Sequence, residues 1–207
     1  MTKICNLKPW MACLASAVML LGLTAQAAID DGLVAYWDFD DAYTDGVGDF
    51  SGAPRGTAPI AFVDSLPNLG RAISLNGEDQ FVEIVGGDEN DLEFPLDPED
   101  PLSGNMSISA WFRVGAFDTS WQCLLSKGEG TNYRIARRGN TLKIAYAGGI
   151  GEPPEAAPDV FDADTNVTEQ AWHHVVAITD TSYGVDFYID GLLAETLAGA
   201  PALTESD

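Results

Sequence analysis

Hydrophobic and polar residues alternate along three stretches in the second half of the chain. Apolar side chains occupy every second position over residues 106–114 and 185–189, and three of the four such positions over 172–178. A period of two places successive side chains on opposite faces of an extended strand. The three stretches therefore predict antiparallel β-strands with one face toward a core.

Shorter runs predict further strands at 33–38, 57–63, 71–75, 80–85, 122–127, 132–137, 141–146 and 192–196. Asp190-Gly191 separates two of the predicted strands and is a two-residue hairpin signal, because both of its positions tolerate a positive φ. No stretch shows a helical period. Many short strands joined by turns predict an all-β fold, an antiparallel sandwich or jelly roll.

Two proline-containing segments, 86–105 and 147–168, interrupt this pattern. We expect both to be long surface loops. Since predicted strands lie on both sides of each segment, neither is interpreted as a linker between domains.

The N-terminus has the layout of an export signal. Two lysines precede an apolar run over 11–24, and an Ala-x-Ala motif ends at Ala27. This predicts a signal peptide over 1–27 and a mature chain that is secreted, periplasmic or at the cell surface, without membrane insertion after cleavage. The alternative is an uncleaved anchor, because 9–29 contains no charge and could just span a bilayer.

The charge balance is strongly acidic. Ten Lys and Arg residues stand against 32 Asp and Glu, a formal net charge of -22. This excludes a nucleic-acid binder driven by general electrostatics and disfavours anionic membranes. The 46% of hydrophobic residues favours a folded core over disorder. Cys123, the one cysteine after residue 27, has no partner for an internal disulfide and is expected in the core.

Four blocks of sequence, in this order, together resemble a known family: Gly32-Leu33-Val34-Ala35-Tyr36-Trp37-Asp38-Phe39-Asp40, Gly70-Arg71-Ala72-Ile73-Ser74-Leu75-Asn76-Gly77, Met106-Ser107-Ile108-Ser109-Ala110-Trp111-Phe112 and Trp172-His173-His174-Val175-Val176-Ala177-Ile178-Thr179. The chain resembles the laminin-G-like, concanavalin-A-like lectin/glucanase domains of bacterial secreted proteins over roughly residues 30–198. The resemblance implies two antiparallel sheets packed as a curved sandwich. It also implies glycan binding, adhesion, or an accessory role beside a hydrolase.

The resemblance also carries an expectation about the C-terminus. Members of the family close with a strand of the type Gly-x-Ile-Asp-Glu-Val-x-Ile-Tyr, and this chain ends at Ser206-Asp207 where that strand is expected. We therefore expect one domain over 28–207 that lacks its closing strand.

Candidate ligand-binding residues are aromatic or basic. Trp121 and Tyr146 stand next to predicted loops, where an aromatic face can pack on the C–H surface of a sugar. Arg134 and Arg137 belong to a local group of basic residues that could hold an acidic sugar. The alternatives are that the rings fill the core and that the arginines balance nearby acids.

A calcium site is expected in the acidic loop that follows the first predicted strand. Ca²⁺ binds carboxylate and carbonyl oxygens, and the family resemblance points to Asp38 and Asp49 with nearby carbonyls as ligands. The alternative is a solvated acidic surface.

No catalytic residues are predicted. Related jelly-roll glycosidases carry Glu-x-Asp-x-x-Glu on one strand, and no predicted strand here has this motif. His173 and His174 are adjacent on a strand, so they point to opposite faces and cannot share a metal ion. We therefore expect a non-catalytic module that binds carbohydrate or a partner at the cell surface or outside the cell. The alternatives are a glycoside hydrolase or polysaccharide lyase on the same fold, and a structural adhesion domain without a small ligand.

Signal cleavage gives the first testable prediction. N-terminal sequencing of exported protein should begin at Ala28, because the Ala-x-Ala motif stands at the usual distance from the apolar run. A membrane-bound product that retains Met1 would contradict the prediction.

Overall fold

The structure, a computed structural model, describes residues 32–85, 92–97, 99–100, 103–128, 132–149, 161–166, 170–199 and 201–203. The predicted signal peptide lies outside these residues. Twelve strands and no helix occur in the described ranges: β1 Gly52–Arg55, β2 Ala61–Asp64, β3 Arg71–Ser74, β4 Phe81–Ile84, β5 Met106–Arg113, β6 Cys123–Lys127, β7 Tyr133–Arg137, β8 Lys143–Ala147, β9 Phe161–Asn166, β10 Trp172–Asp180, β11 Gly184–Ile189 and β12 Leu192–Ala198. Accordingly, these ranges contain no helix long and apolar enough to cross a membrane.

The strands form two four-stranded antiparallel sheets and two smaller pairs. The first sheet has the order β12-β11-β10-β5, and the second has the order β6-β7-β8-β9. β1 pairs with β4, and β2 pairs with β3. The predicted all-β antiparallel fold is confirmed.

Alternation along the strands sends one face of the first sheet into the core. On β10 the residues from His173 to Thr179 alternate between buried and half-buried. Val175 stands directly between Ala110 of β5 and Ile189 of β11. The buried cluster combines these inward residues with those of the second sheet: Phe112, Tyr133, Ile135, Ile144, Tyr146, Val175, Ala177, Val185, Phe187, Ile189 and Leu203.

Tyr146 and Phe187 join the two sheets at the centre of this core. Their rings are stacked with centroids 6.3 Å apart and planes 11° apart. The Tyr146 hydroxyl donates to Thr179 Oγ1 at 2.7 Å, and Thr179 donates in turn to the carbonyl of Gly148 at 3.1 Å. Burial raises the pKa of the Tyr146 phenol well above its usual range. The hydroxyl is thus a neutral group with a partner, which removes the cost of burying it.

The predicted hairpin at Asp190-Gly191 is confirmed, with φ angles of 52° and 78°. The Asp190 carboxylate accepts from the backbone N–H of His174 at 2.9 Å and contacts His173 Nδ1 at 2.7 Å. His173 is buried and His174 is half-buried on the other face. The histidine pair therefore points to opposite faces, as expected.

Two local expectations were wrong, and one strand was not predicted. The strand that was not predicted is β1, Gly52–Arg55, which pairs with β4. Residues 33–38 form no strand, because the N–H of Tyr36 donates to the Asp45 side chain instead of a strand partner. Part of the predicted loop 147–168 forms β9, which pairs with β8 across a register shift. Such pairings depend on distant partners that local sequence does not reveal.

Removing the Phe187 ring should open a cavity between the sheets, because this side chain is 0% exposed. We expect Phe187→Ala to lower the free energy of unfolding by about 3–5 kcal/mol. Leu192 is 74% exposed, so the control Leu192→Ala should stay within about 0.5 kcal/mol of the wild type. Urea denaturation measures both. Equal effects of the two substitutions would contradict the described core.

Candidate functional site

Trp121 precedes β6 and has an exposed side chain on a constrained backbone. The residue is 39% exposed and has a φ of 61°. Its N–H donates to the carbonyl of Gly139 in the turn between β7 and β8 at 3.2 Å. A positive φ is unusual for a bulky residue, so the local fold holds this indole at the surface against its backbone preference.

Two arginines lie against the Trp121 indole. The guanidinium carbon of Arg134 is 5.1 Å from the ring centroid, and that of Arg138 is 5.6 Å away. Arg134 belongs to β7, and Arg138 stands four positions later on the same face of the extended chain. Both distances suit a cation–π contact. We call Trp121, Arg134 and Arg138 the Trp121 cluster.

Arg137, a predicted ligand residue, is a structural residue instead. It is 5% exposed, and it donates to the carbonyls of Thr141 and Thr119, each at 2.7 Å. Its guanidinium also lies 5.2 Å from the centroid of the Phe117 ring. With these donors committed to backbone carbonyls, Arg137 fixes the segment that carries Trp121 rather than facing a ligand.

Tyr146, also a predicted ligand residue, lies in the core instead. The residue is 0% exposed, and its ring packs on Phe187 while its hydroxyl bonds Thr179. No face of the ring is accessible to a sugar. Tyr146 therefore belongs to the core, and only Trp121 and Arg134 of the four predicted ligand residues lie together at the surface.

Arg138 belongs to the local group of basic residues that the sequence predicts could hold an acidic sugar, and its spacing from Arg134 indicates a shared face. A further feature differs from the sequence predictions. Cys123, expected in the core, is an exposed free cysteine at the start of β6. Its thiol is nevertheless desolvated, which raises its pKa above the usual value, so it is not an activated nucleophile.

The acidic loop near residue 40 is organised by Asp45, which the sequence reasoning missed. One oxygen of its carboxylate accepts from the N–H groups of Tyr36 and Val47, at 2.8 and 3.0 Å. The other oxygen accepts from the N–H groups of Gly48 and Phe50, at 2.9 and 3.2 Å. Burial alone would raise the pKa of Asp45, but these four donors outweigh it and lower the pKa.

The predicted calcium ligands do not form a ligand cluster. Asp38 is exposed, and its Oδ1 accepts from the N–H of Asp40 at 3.1 Å. Asp49 is exposed as well. Among the described residues no three His, Cys, Asp or Glu side chains converge on a possible metal position. The geometry thus gives no support to calcium at Asp38 and Asp49, and this site stays a prediction.

Comparison with known proteins places this fold in a family. A family model described as the concanavalin A-like lectin/glucanases superfamily matches residues 86–207. The match covers more than half of the chain, so the chain belongs to this family, and the predicted resemblance is confirmed. No curated protein matches the chain.

A solved structure with a similar fold is domain 4 of AbnA, a GH43 extracellular arabinanase from Geobacillus stearothermophilus, in complex with arabinotriose. The two structures share a TM-score of 0.52 and 16% sequence identity, over 81% of this chain and 75% of that chain. At this identity the likeness shows the fold alone.

The Asp45 loop predicts a pH effect. Because the folded protein lowers the pKa of Asp45, the carboxylate stabilises the fold above the unfolded pKa of about 3.9 and loses that contribution as pH falls through the folded pKa. The stability difference between the wild type and Asp45→Asn, measured by urea denaturation, should shrink between pH 7 and pH 3. A constant difference would show that the charge of Asp45 does not hold the loop.

Proposed function

We propose that this chain is a non-catalytic carbohydrate-binding module and that it contacts its glycan through the Trp121 cluster. The observation that carries the proposal is the exposed Trp121 indole held beside the Arg134 guanidinium. An aromatic face packs against the apolar C–H surface of a sugar ring. The N–H groups of a neighbouring guanidinium can donate to sugar hydroxyl or carboxylate oxygens.

Two comparisons support a glycan over other ligands. The family description includes lectins, which bind carbohydrate, and glucanases, which hydrolyse it. The domain of the arabinanase that shares the fold was solved with an arabinose oligosaccharide. An extracellular protein remains the alternative partner, and the predicted export signal is compatible with either.

The absence of catalysis is also a proposal. Retaining glycosidases hold two carboxyl groups about 5 Å apart, and the sequence does not contain the Glu-x-Asp-x-x-Glu motif of related enzymes. The carboxylates of Asp186 and Asp190 are committed to hydrogen bonds with Thr196 and His173. If the module were a hydrolase or lyase, incubation with the bound polysaccharide would release reducing or unsaturated ends, and we expect neither.

A glycan array that includes arabinotriose, followed by calorimetry on the strongest binder, tests the proposal. Removing the indole should cost about 1.4 kcal/mol of binding free energy, so we expect Trp121→Ala to weaken binding about tenfold. Trp121→Phe keeps an aromatic ring and should retain part of the affinity. Leu142 is 49% exposed in the neighbouring β7–β8 turn, so Leu142→Ala is the matched control. Wild-type affinity in Trp121→Ala would contradict the proposed site.

The same array, run with and without EDTA, tests the calcium prediction. If calcium organises the binding surface, EDTA should lower both the glycan affinity and the melting temperature, and Asp38→Ala should reproduce the loss. Identical binding and melting in EDTA would overturn the prediction, while the Trp121 site would stand.

A further inference from the structure

The outward face of the first sheet carries a row of rings and polar groups that the proposed site does not use. Trp111 of β5 stands directly opposite His174 of β10, and Arg113 stands opposite Trp172. The Trp111 and His174 rings stack with centroids 4.8 Å apart and planes 26° apart. The Arg113 guanidinium lies 5.3 Å from the centroid of the Trp172 ring. We call these two cross-strand pairs, with Ser109, the outer-face ladder.

The ladder is held in place while its outer surface stays open to solvent. His174 Nε2 and Ser109 Oγ are 2.8 Å apart and hydrogen-bonded, which fixes the imidazole against which Trp111 packs. Trp111 is nevertheless 49% exposed. Rings that are already fixed lose little side-chain entropy when a ligand binds. The face therefore resembles a preformed platform.

Charge is distributed unusually on this face. No acidic residue occupies the outward positions between 107 and 113 on β5 or between 172 and 178 on β10. On β11, Asp186 stands opposite Ile178. Asp190 lies beside His174, and its carboxylate is hydrogen-bonded to the His174 N–H and to His173 Nδ1. In a protein with a net charge of -22, the outward positions of β5 thus form an acid-free strip that leaves room for an anionic group beside Arg113.

Arg113 gives this strip its ligand preference. Within the part of the chain that the structure describes, Arg113 has no carboxylate within ion-pair distance, whereas Arg55 pairs with Glu83. A guanidinium stacked on a ring keeps the N–H groups of its edge available and can donate two of them to one carboxylate. Trp111 and Arg113 are two positions apart on one strand, about 7 Å, so one saccharide unit on the ring would place a carboxylate near the guanidinium.

We propose that the outer-face ladder is a second saccharide-binding site, separate from the Trp121 cluster, and that its ligand is a uronic-acid-containing polysaccharide. Trp111 packs on the C–H face of a sugar ring. Arg113 binds the carboxylate of that unit or its neighbour, and Ser109 and His174 offer hydrogen-bonding groups beside the ring.

The experiment measures binding of the purified protein to polygalacturonate and to its fully methyl-esterified form by calorimetry. Esterification removes the carboxylate charge and keeps the sugar backbone. We expect the wild type to bind the acid form about tenfold more tightly than the ester. Arg113→Gln should abolish this preference, whereas Trp111→Ala should weaken the binding of both forms. Leu192→Ala, at the edge of the same sheet, is the control and should change neither.

Trp121→Ala separates the two sites. If the acid preference survives in Trp121→Ala and disappears in Arg113→Gln, the second site is supported whatever happens to the first. No binding of polygalacturonate, equal affinity for acid and ester, or a preference unchanged in Arg113→Gln would each overturn the inference. If only Trp121→Ala loses glycan, the Trp121 site is supported and the ladder is not a binding site. Capture of a protein that resists competition by polygalacturonate and depends on Trp111 would also overturn it.

Discussion

The contact between Phe187 of the first sheet and Tyr146 of the second is the interaction on which the rest of the structure depends. Both side chains are 0% exposed, and their stacked rings join the inner faces of the two four-stranded sheets. Successive side chains of a strand point to opposite faces. Once the inner positions are fixed in this core, the outer positions of the same strands are fixed as well.

The positions of the two proposed binding surfaces follow from this constraint. Trp111 is exposed because its neighbour Phe112 is buried in the core. Arg134 reaches the Trp121 ring because its neighbours Tyr133 and Ile135 face the core. The buried Arg137 ties the segment before β6 to the β7–β8 turn through two carbonyls. Packing in the core thus determines which rings are exposed.

The net charge of the protein and the arginines beside Trp121 and Trp172 act on a ligand over different distances. A net charge of -22 repels anions at long range, but salt screens this repulsion beyond about 8 Å at physiological ionic strength. At contact distance the groups that matter are Arg134 beside Trp121 and Arg113 beside Trp172. An acidic protein can therefore hold a basic, aromatic surface suited to a saccharide.

The sequence predicted the elements whose pattern is local and missed those that depend on distant partners. The alternation of hydrophobic and polar residues predicted β5, β10 and β11, and Asp190-Gly191 predicted the hairpin. Tyr146 was misassigned because β8 is buried on both faces, with Ala145 at 1% and Tyr146 at 0% exposure, so alternation could not separate inward from outward. Its position next to a predicted loop therefore did not mean that the Tyr146 side chain is exposed. The role of Asp45 depends on four backbone N–H groups that come together only in the folded loop. No spacing of residues in the sequence predicts this arrangement.

The most direct test of glycan binding through exposed tryptophans is to follow the indole N–H resonances of the protein by NMR during titration with arabinotriose and with trigalacturonate. The Trp37 indole donates to the carbonyl of Phe50 at 2.8 Å and serves as an internal reference. If Trp121 binds the glycan, its resonance shifts with saturation in at least one titration while the Trp37 resonance stays in place. Saturable shifts at Trp37 with none at Trp121 would contradict binding through Trp121.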